Sequence, residues 1–243
     1  MPQLGASAGG LDMAAEAGHK IIPPLPAMAP LCLLEKWITN LSGISLPDAE
    51  IILVCGSTSA KSRGTLLFTH DGFSGMAALN ISDAAYRCLK NKPQKLKLNI
   101  NFLAERSAAG YLQILQHLKQ QEPDRLLRTG LSAYFPRALA AELCKNTGNA
   151  EIKNREIKEN MLPVLAKYLS SVPITLSRFS PMEKAMAMSG GVSLKEVDPE
   201  TMESRLVPGL YFAGEILDLT GPCGGFNIQF AFSSGYLAGN ASR

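Results

Sequence analysis

The chain has 243 residues, 46% of them hydrophobic and 19% charged, with a formal net charge of +3. That is enough apolar material for a substantial core in one large domain or two small ones, and it excludes a disordered or low-complexity chain. The small charge, spread without a run of five like residues, leads us to expect no nucleic-acid partner. No apolar run approaches the ~18 residues of a membrane span, and "MPQLGASAGG" has neither the basic nor the apolar part of a secretory signal. Cys32, Cys55, Cys88, Cys144 and Cys223 are odd in number and contain no C-x-x-C pair, so reduced thiols in a cytoplasmic protein are expected.

In chain order, "SAGGLDMAAEAGHKI" predicts a short helix with a glycine-led start, ending near Gly18. "IPPLPAMAP" holds four prolines in nine residues, which forbids a helix and predicts an extended crossing. "AEIILVC" (Ala49–Cys55) and "RGTLLFTH" (Arg63–His70) read as strands, followed by a helix from about Met76 to Lys90. In "KLKLNINF", Leu96, Leu98, Ile100 and Phe102 alternate with Lys95, Lys97, Asn99 and Asn101, the period of a half-buried antiparallel strand.

From Glu105 the period becomes helical. Tyr111, Ile114, Leu115 and Leu118 share one face; Pro136 suits the first turn of a helix over "PRALAAELC"; a third helix is expected from about Glu151 to Leu169, strained at Pro163. "VPITLSRF" (Val172–Phe179) returns to alternation, as if completing the interrupted sheet. The order of elements predicts nested insertion: helices inside a β domain, and that domain inside an outer one.

The outer domain closes with "LYFAGEILDLTGPCGGFNIQFAFSSG". Leu210–Ala213 read as a short buried strand, which places Glu215 at the carboxyl end of a strand, where open α/β sheets bind ligands. Gly221, Gly224 and Gly225 leave the backbone open to a flat ligand. A helix starting near Phe226 or Asn227 presents unpaired N–H groups and the positive end of its dipole. Aimed at the N1 edge of a reduced flavin, it would favour the anionic form. Ala231, Gly235, Ala238 and Gly239 suggest a smooth side for packing on a sheet. Taken alone, such a turn also serves as a mere tight connection.

The words "GGVSLKEVDPETMESRLVPGLYFAGEILDLTGPCGGFNIQFAFSSGYLAG" (Gly190–Gly239), "RGTLLFTHDGFSGMAALNIS" (Arg63–Ser82), and "PQLGASAGG" with "AGHKIIPPLPAMAPL" (Pro2–Leu31) resemble the BaiN-like (YhiN-type) bacterial flavoproteins, NAD(P)/FAD-dependent oxidoreductases. The resemblance implies α/β plus β architecture: the C-terminal part of a two-dinucleotide-type FAD-binding domain, with an inserted β-barrel-like domain that carries a helical insert. It divides the chain into an FAD-domain remnant (1–25), the barrel-like domain (26–104 and 171–185), the helical insert (105–170) and the C-terminal FAD segment (186–243). It implies FAD as cofactor, a nicotinamide nucleotide, NADH or NADPH, as electron donor, and a small-molecule substrate. By the same resemblance Gly214, Glu215 and Asp218 lie along the ribityl and pyrophosphate part of FAD. Gly224, Gly225, Phe226 and Asn227 lie at the isoalloxazine.

The family's opening strand and G-x-G-x-x-G have no counterpart here, and Met188, Asp71 and Met76 depart from its usual residues. The resemblance therefore implies a truncated or split member, active as an oxidoreductase or acting as a non-catalytic partner that completes a separate N-terminal FAD-binding chain. A third reading is a β-barrel binding module. No catalytic residue is assigned. His70 fits either a role beside the flavin or the cap of a tight turn; His19 and His117 read as helix-end and helix-surface residues. Cys223 reads as a small loop residue and Trp37 as a core or interface anchor, and no metal site is expected.

Overall fold

The computed structural model describes residues 8–56, 58–91 and 96–242, and it divides into two compact units. The first comprises Met1–Leu31, Ala78–Pro93 and Arg178–Arg243; the second comprises Cys32–Ala77 and Gln94–Ser177. Of the words quoted above, "PQLGAS" and Lys95 lie outside the described residues.

The second unit is built on a closed barrel of six strands. They are β2 (Leu31–Leu33), β3 (Ser45–Cys55), β4 (Thr58–Thr69), β5 (Gly72–Ser74), β6 (Leu96–Asn101) and β7 (Val172–Arg178), in the order β2-β5-β4-β3-β6-β7. Alternation decides the inside: Leu96, Leu98 and Ile100 of β6 face the core with Val172, Ile174 and Leu176 of β7. These two strands pair antiparallel, Leu98 opposite Ile174. Phe68 stands edge-on to Phe73 at 5.0 Å between ring centroids and stacks with Phe102 at 5.8 Å, filling the barrel with aromatic rings. Gly75 closes the β5 turn at a φ of +87°, where a Cβ would meet the Thr65 carbonyl at 2.6 Å.

Between β6 and β7 the chain forms α4 (Ala108–Gln121), α5 (Leu127–Leu131), α6 (Arg137–Asn146) and α7 (Leu162–Ser170). Ser107 caps α4, accepting from the Gly110 N–H, and Tyr111, Ile114, Leu115 and Leu118 are its buried face. Pro136 sits one step ahead of its expected place, as the residue before α6. The strained helix expected over Glu151–Leu169 does not form. Residues 154–156 and 159–161 are single 3₁₀ turns, and α7 begins only at Leu162. Pro163 then lies in the first turn, where a missing N–H breaks no helical bond.

In the first unit α1 (Gly9–Glu16) precedes β1 (Ile21–Ala27), which pairs antiparallel with β8 (Ala187–Val192). The proline-rich word is thus a strand, and its register slips between Ile22 and Leu25, so Pro23 and Pro24 fall where no ladder bond is required. Gly190 lies opposite that bulge, and a Cβ on it would meet the Ile22 and Pro23 carbonyls at 2.7–2.8 Å. At Gly191, with φ +126°, a Cβ would stand 2.3 Å from the Ile216 carbonyl. The Gly-Gly pair is therefore what lets β8 touch both neighbours at once.

The helix α3 (Met76–Asn91), whose residues from Ala78 onward belong to this unit, and α8 (Phe226–Ala241) complete the first unit. Its core gathers Ala14, Val192, Val197, Met202, Phe212 and Leu217, with Phe230 and Ala238 of α8 packed against it. Leu210–Ala213 does not form the expected strand. Tyr211 makes only a single bridge to Glu203, and Leu217 beyond it bridges to Val192 at the end of β8.

His19 stands at the end of α1 as expected, its N–H donating to the Ala14 carbonyl, and its ring is buried. Its Nε2 lies 2.9 Å from Ser204 Oγ and its Nδ1 lies 3.2 Å from Glu196 Oε2, with Phe212 edge-on to the ring. Ser204 Oγ already accepts the N–H groups of Leu206 and Val207. Its own proton therefore goes to Nε2, which selects the Nδ1–H tautomer donating to Glu196. A serine whose lone pairs hold two backbone N–H groups is no nucleophile; the trio is a buried strut.

Replacing Gly191 by Ala should force β8 off the 216–218 segment and destabilise the first unit by about 2–4 kcal/mol. Chemical denaturation of the G191A chain checks this, with wild-type stability as the contrary outcome.

Candidate functional site

A dense set of polar contacts surrounds the loop from Gly214 to Asn227 in the first unit. Asp218, expected along the cofactor, is tied inward: Oδ1 accepts the Gly190 N–H at 3.1 Å and Arg87 Nη2 at 3.1 Å. Arg87 holds Asp83 with its Nε at 2.9 Å, so one guanidinium joins α3 to the loop. Burial by itself would lower the Arg87 pKa, but the Asp218 and Asp83 carboxylates outweigh it and raise it.

A second link from α3 is Asn80, whose Oδ1 accepts the Cys223 N–H at 2.7 Å. Thr220 donates to the Met188 carbonyl at 3.1 Å, and Glu215 Oε1 accepts the Met188 N–H at 2.6 Å. Glu215 itself is exposed, which leaves its second oxygen available for another donor. Asn227 folds back on its own loop: Oδ1 accepts the Gly221 N–H at 2.7 Å, and Nδ2 donates to the Gly221 carbonyl at 3.2 Å. Nδ2 also stands 3.0 Å from Met28 Sδ. Asn227 and Asp218 therefore shape the loop, while Glu215 keeps a free face.

Gly214 has φ +73°, and its N–H donates to Ser234 Oγ at 2.9 Å. Ser234 is the one buried residue of α8 and passes its own proton to the Phe230 carbonyl at 2.7 Å. A Cβ on Gly214 would come within 3.3 Å of the Ala231 Cβ. The packed side of α8 is therefore Phe230, Ala231, Ser234 and Ala238. Gly235 and Gly239, expected on that side, have no atom within 4 Å of where a Cβ would stand.

Gly224 and Gly225 follow with φ +124° and +86° and are both exposed. Only glycine takes two such conformations in succession at little cost. They turn the chain so that α8 starts with no side-chain cap and no acceptor among the described residues for its first N–H groups. Phe226, the first residue of the helix, is exposed beside them. A cavity of about 250 Å³ lies next to the loop, lined by Met28, Leu79, Asn80, Asp83, Thr220 and Gly221 among others. The corner thus offers backbone donors, partial positive charge and no Cβ, the needs of a flat, electron-rich ring. By this test the residues present fit a flavin.

Burial pushes the Cys223 thiol up, so at neutral pH it is not a thiolate, in keeping with a small loop residue. His70 is exposed at the turn after β4, in the second unit, and among the described residues it has no hydrogen-bond partner. Trp37 is half-buried on the short helix α2 (Lys36–Thr39). No group of three or more potential metal-ligating side chains occurs among the described residues. None of the described helices is long and apolar enough to cross a membrane.

Asn80, Arg87 and Met28 were not legible as site residues. Asn80 and Arg87 are separated from the loop by more than 130 residues, and only their spacing of seven on α3, two turns of one helix face, hints that they act together.

The sequence matches the family described as the HI0933-like protein Rossmann domain over residues 1–241. It is 37% identical to a ribosomal RNA dihydrouridine synthase of Haemophilus influenzae, an alignment covering 97% of this chain and 56% of that protein. It is 29% identical to a 3-dehydro-bile acid delta(4,6)-reductase of Clostridium scindens, covering 98% of this chain and 58% of the relative. A ribosomal RNA dihydrouridine synthase of Escherichia coli is likewise 29% identical, over 97% of the chain and 56% of its own length. The chain thus spans somewhat more than half the length of these relatives. The two proteins named for ribosomal RNA overturn the expectation of no nucleic-acid partner. That expectation rested on net charge averaged over the whole chain, and averaging conceals its distribution. The second unit has 15 Lys and Arg against 11 Asp and Glu, net +4, while the first has 9 against 10, net −1.

Removing Asn80 (Asn80→Ala) or Arg87 (Arg87→Met) should each destabilise the first unit by about 1 kcal/mol. Both should expose residues 218–223 to protease earlier than in the wild type, which timed digestion followed by mass spectrometry measures. Cys223 should alkylate more slowly at neutral pH than an unperturbed thiol and gain rate only as the pH rises, read by peptide mapping.

Proposed function

The chain belongs to the HI0933-like Rossmann family, and on that premise we propose that it forms the larger part of an FAD-dependent oxidoreductase that saturates a carbon–carbon double bond conjugated with a carbonyl. Dihydrouridine synthesis and delta(4,6) reduction both name that chemistry, in a uracil ring and in a steroid respectively. We assign this chain to the first: the relative at 37% identity acts, by its name, on ribosomal RNA, and the second unit's net charge of +4 suits a polyanion. The single observation that carries the flavin reading is the uncapped start of α8 behind Gly224 and Gly225.

Bound FAD would take a hydride from a nicotinamide nucleotide and deliver it to the double bond. The chain's own residues supply orientation and electrostatics. The first N–H groups of α8 stabilise negative charge at the ring edge, where no side-chain cap competes for them. Gly224 and Gly225 permit close approach, and the exposed Phe226 flanks them. Glu215, fixed through Met188, accepts a hydroxyl of the ribityl or ribose part with its second oxygen. Gly214 and Asp218 hold the backbone in place beneath that segment. Asn227, locked on Gly221, sets the angle at which the corner meets the ring. In this reading unit 1 is part of a two-dinucleotide-type FAD domain.

A second reading is favoured by the exposed side of α8. Ile228, Phe232 and Tyr236 recur every fourth residue and are 65%, 74% and 72% exposed. An apolar stripe of this kind is normally covered. The relatives' additional length supplies a candidate cover, so the FAD domain is completed by polypeptide outside these 243 residues, either in the same protein or in a separate chain. Under this reading the present segment alone is not catalytic.

The two readings separate on one measurement. Titrating FAD into the purified chain should quench flavin fluorescence, and Gly225→Val should weaken binding by at least about tenfold. Unchanged affinity in G225V would remove the corner from the site. Flavin uptake only after adding the N-terminal segment of a relative, lost in Phe232→Ser, supports the second reading.

A further inference from the structure

A cavity of about 600 Å³ opens in the second unit, lined by residues 45–48 at the start of β3, residues 102–106 after β6, and Ala133, Tyr134 and Pro136 between α5 and α6. Every lining residue belongs to that unit, and none belongs to the Gly214–Asn227 loop. Its volume falls in the ordinary range for small-ligand sites. Leu46 and Phe102 are buried, Tyr134 and Pro136 are half-buried, and Arg106 is exposed.

The charges at this cavity are not equivalent. Arg63 donates to Asp48 Oδ1 at 2.8 Å and to Glu105 Oε1 at 3.2 Å, so both acids share one cation. Arg63 holds the Asp48 carboxyl below the usual carboxylate range. Arg106 has no carboxylate partner among the described residues, although its backbone is fixed: its N–H donates to the Leu103 carbonyl and its carbonyl accepts from Asn101 Nδ2. Tyr134 likewise has no hydrogen-bond partner for its hydroxyl among the described residues. An aromatic ring with an unused hydroxyl and a guanidinium with no counterion thus line one cavity.

We propose that this cavity is a docking site for one unpaired nucleotide of an RNA strand, its base against Tyr134 and a flanking phosphate on Arg106. The inference rests on the RNA reading of the function and adds to it a recognition site away from the flavin loop. An aromatic wall accepts any base by stacking, and an arginine fixed at its backbone meets the phosphate. A neutral steroid would gain nothing from Arg106, and only one with an acid group could use it. The net charge of +4 concentrated in this unit draws the polyanion to it. No covalent step is involved.

The test is fluorescence anisotropy of the 243-residue chain with a labelled single-stranded, uridine-containing oligoribonucleotide at several salt concentrations. Tyr134→Ala should weaken binding by roughly 5- to 100-fold, and Tyr134→Phe should retain most of the affinity. Arg106→Ala should weaken binding and lower the slope of log affinity against log salt by about 1. Lys167→Ala, an exposed cation on α7, is the control and should leave the affinity near wild type. Thermal denaturation confirms that each variant is folded. RNA binding that Tyr134→Ala and Arg106→Ala leave unchanged overturns the docking site while the RNA reading of the function stands. Equal losses in Arg106→Ala and Lys167→Ala show diffuse electrostatic binding and overturn it as well. No RNA binding by wild type overturns both. Uptake of a steroid enone that Tyr134→Ala weakens, with RNA binding unchanged, assigns the cavity to an apolar ring and also overturns the proposal.

Discussion

The Asp218 carboxylate governs the first unit. One of its oxygens receives a backbone N–H from β8 and a guanidinium N–H from α3, at 3.1 Å each. It works only because Gly191 has no Cβ: β8 must lie against the Ile216 carbonyl for the Gly190 N–H to reach Asp218. A half-buried carboxylate held by two donors, one of them a guanidinium, is a stronger tie than a single exposed pair. Three separated segments of chain thereby become one frame, and the loop from Gly214 to Asn227 inherits its shape.

Against that frame the Gly224–Gly225 corner is conspicuous for its lack of internal partners. Residues 214–223 are tied by Ser234, Met188, Thr220 and Asn80, whereas the first N–H groups of α8 have no acceptor within the described residues. Unused backbone donors at a helix start are chemically valuable where negative charge develops, and in the proposed reaction it develops on the reduced ring. The relatives' names, so different in substrate, share the saturation of a conjugated double bond.

The buried trio of Ser204, His19 and Glu196 shows why geometry has to be read together with hydrogen-bond capacity. The distances of 2.9 and 3.2 Å imitate a nucleophile–base–acid relay. The serine oxygen, however, is saturated by the Leu206 and Val207 N–H groups, and the serine is buried. The same polar atoms that would activate a surface serine here fasten the chain on either side of the Asp198–Glu203 turn. The cavity of the second unit shows the opposite pattern, with the Tyr134 hydroxyl and the Arg106 guanidinium lacking side-chain partners among the described residues.

Periodicity in the sequence was sufficient for β3, β4, β6 and β7 and for the buried face of α4, because each of these buries one face and its apolar residues must follow the repeat; β2 and β5, three residues each, are too short to show a repeat, and the apolar stripe of α8 is exposed. The pair of glycines before Phe226 could also be read directly, since two successive positive φ values have few other solutions. The family words pointed to the BaiN-like family, and the chain matches the HI0933-like Rossmann family over residues 1–241. Three things were decided by contacts between distant segments. Leu210–Ala213 did not become a strand, since Tyr211 alone finds a bridge partner, Glu203. Asp218 and Asn227 turned inward as struts, since Arg87, Gly190 and Gly221 are near them only after folding. And the charge that looked evenly diluted along the chain proved to be partitioned between two units, a property of where the chain goes rather than of which residues it contains.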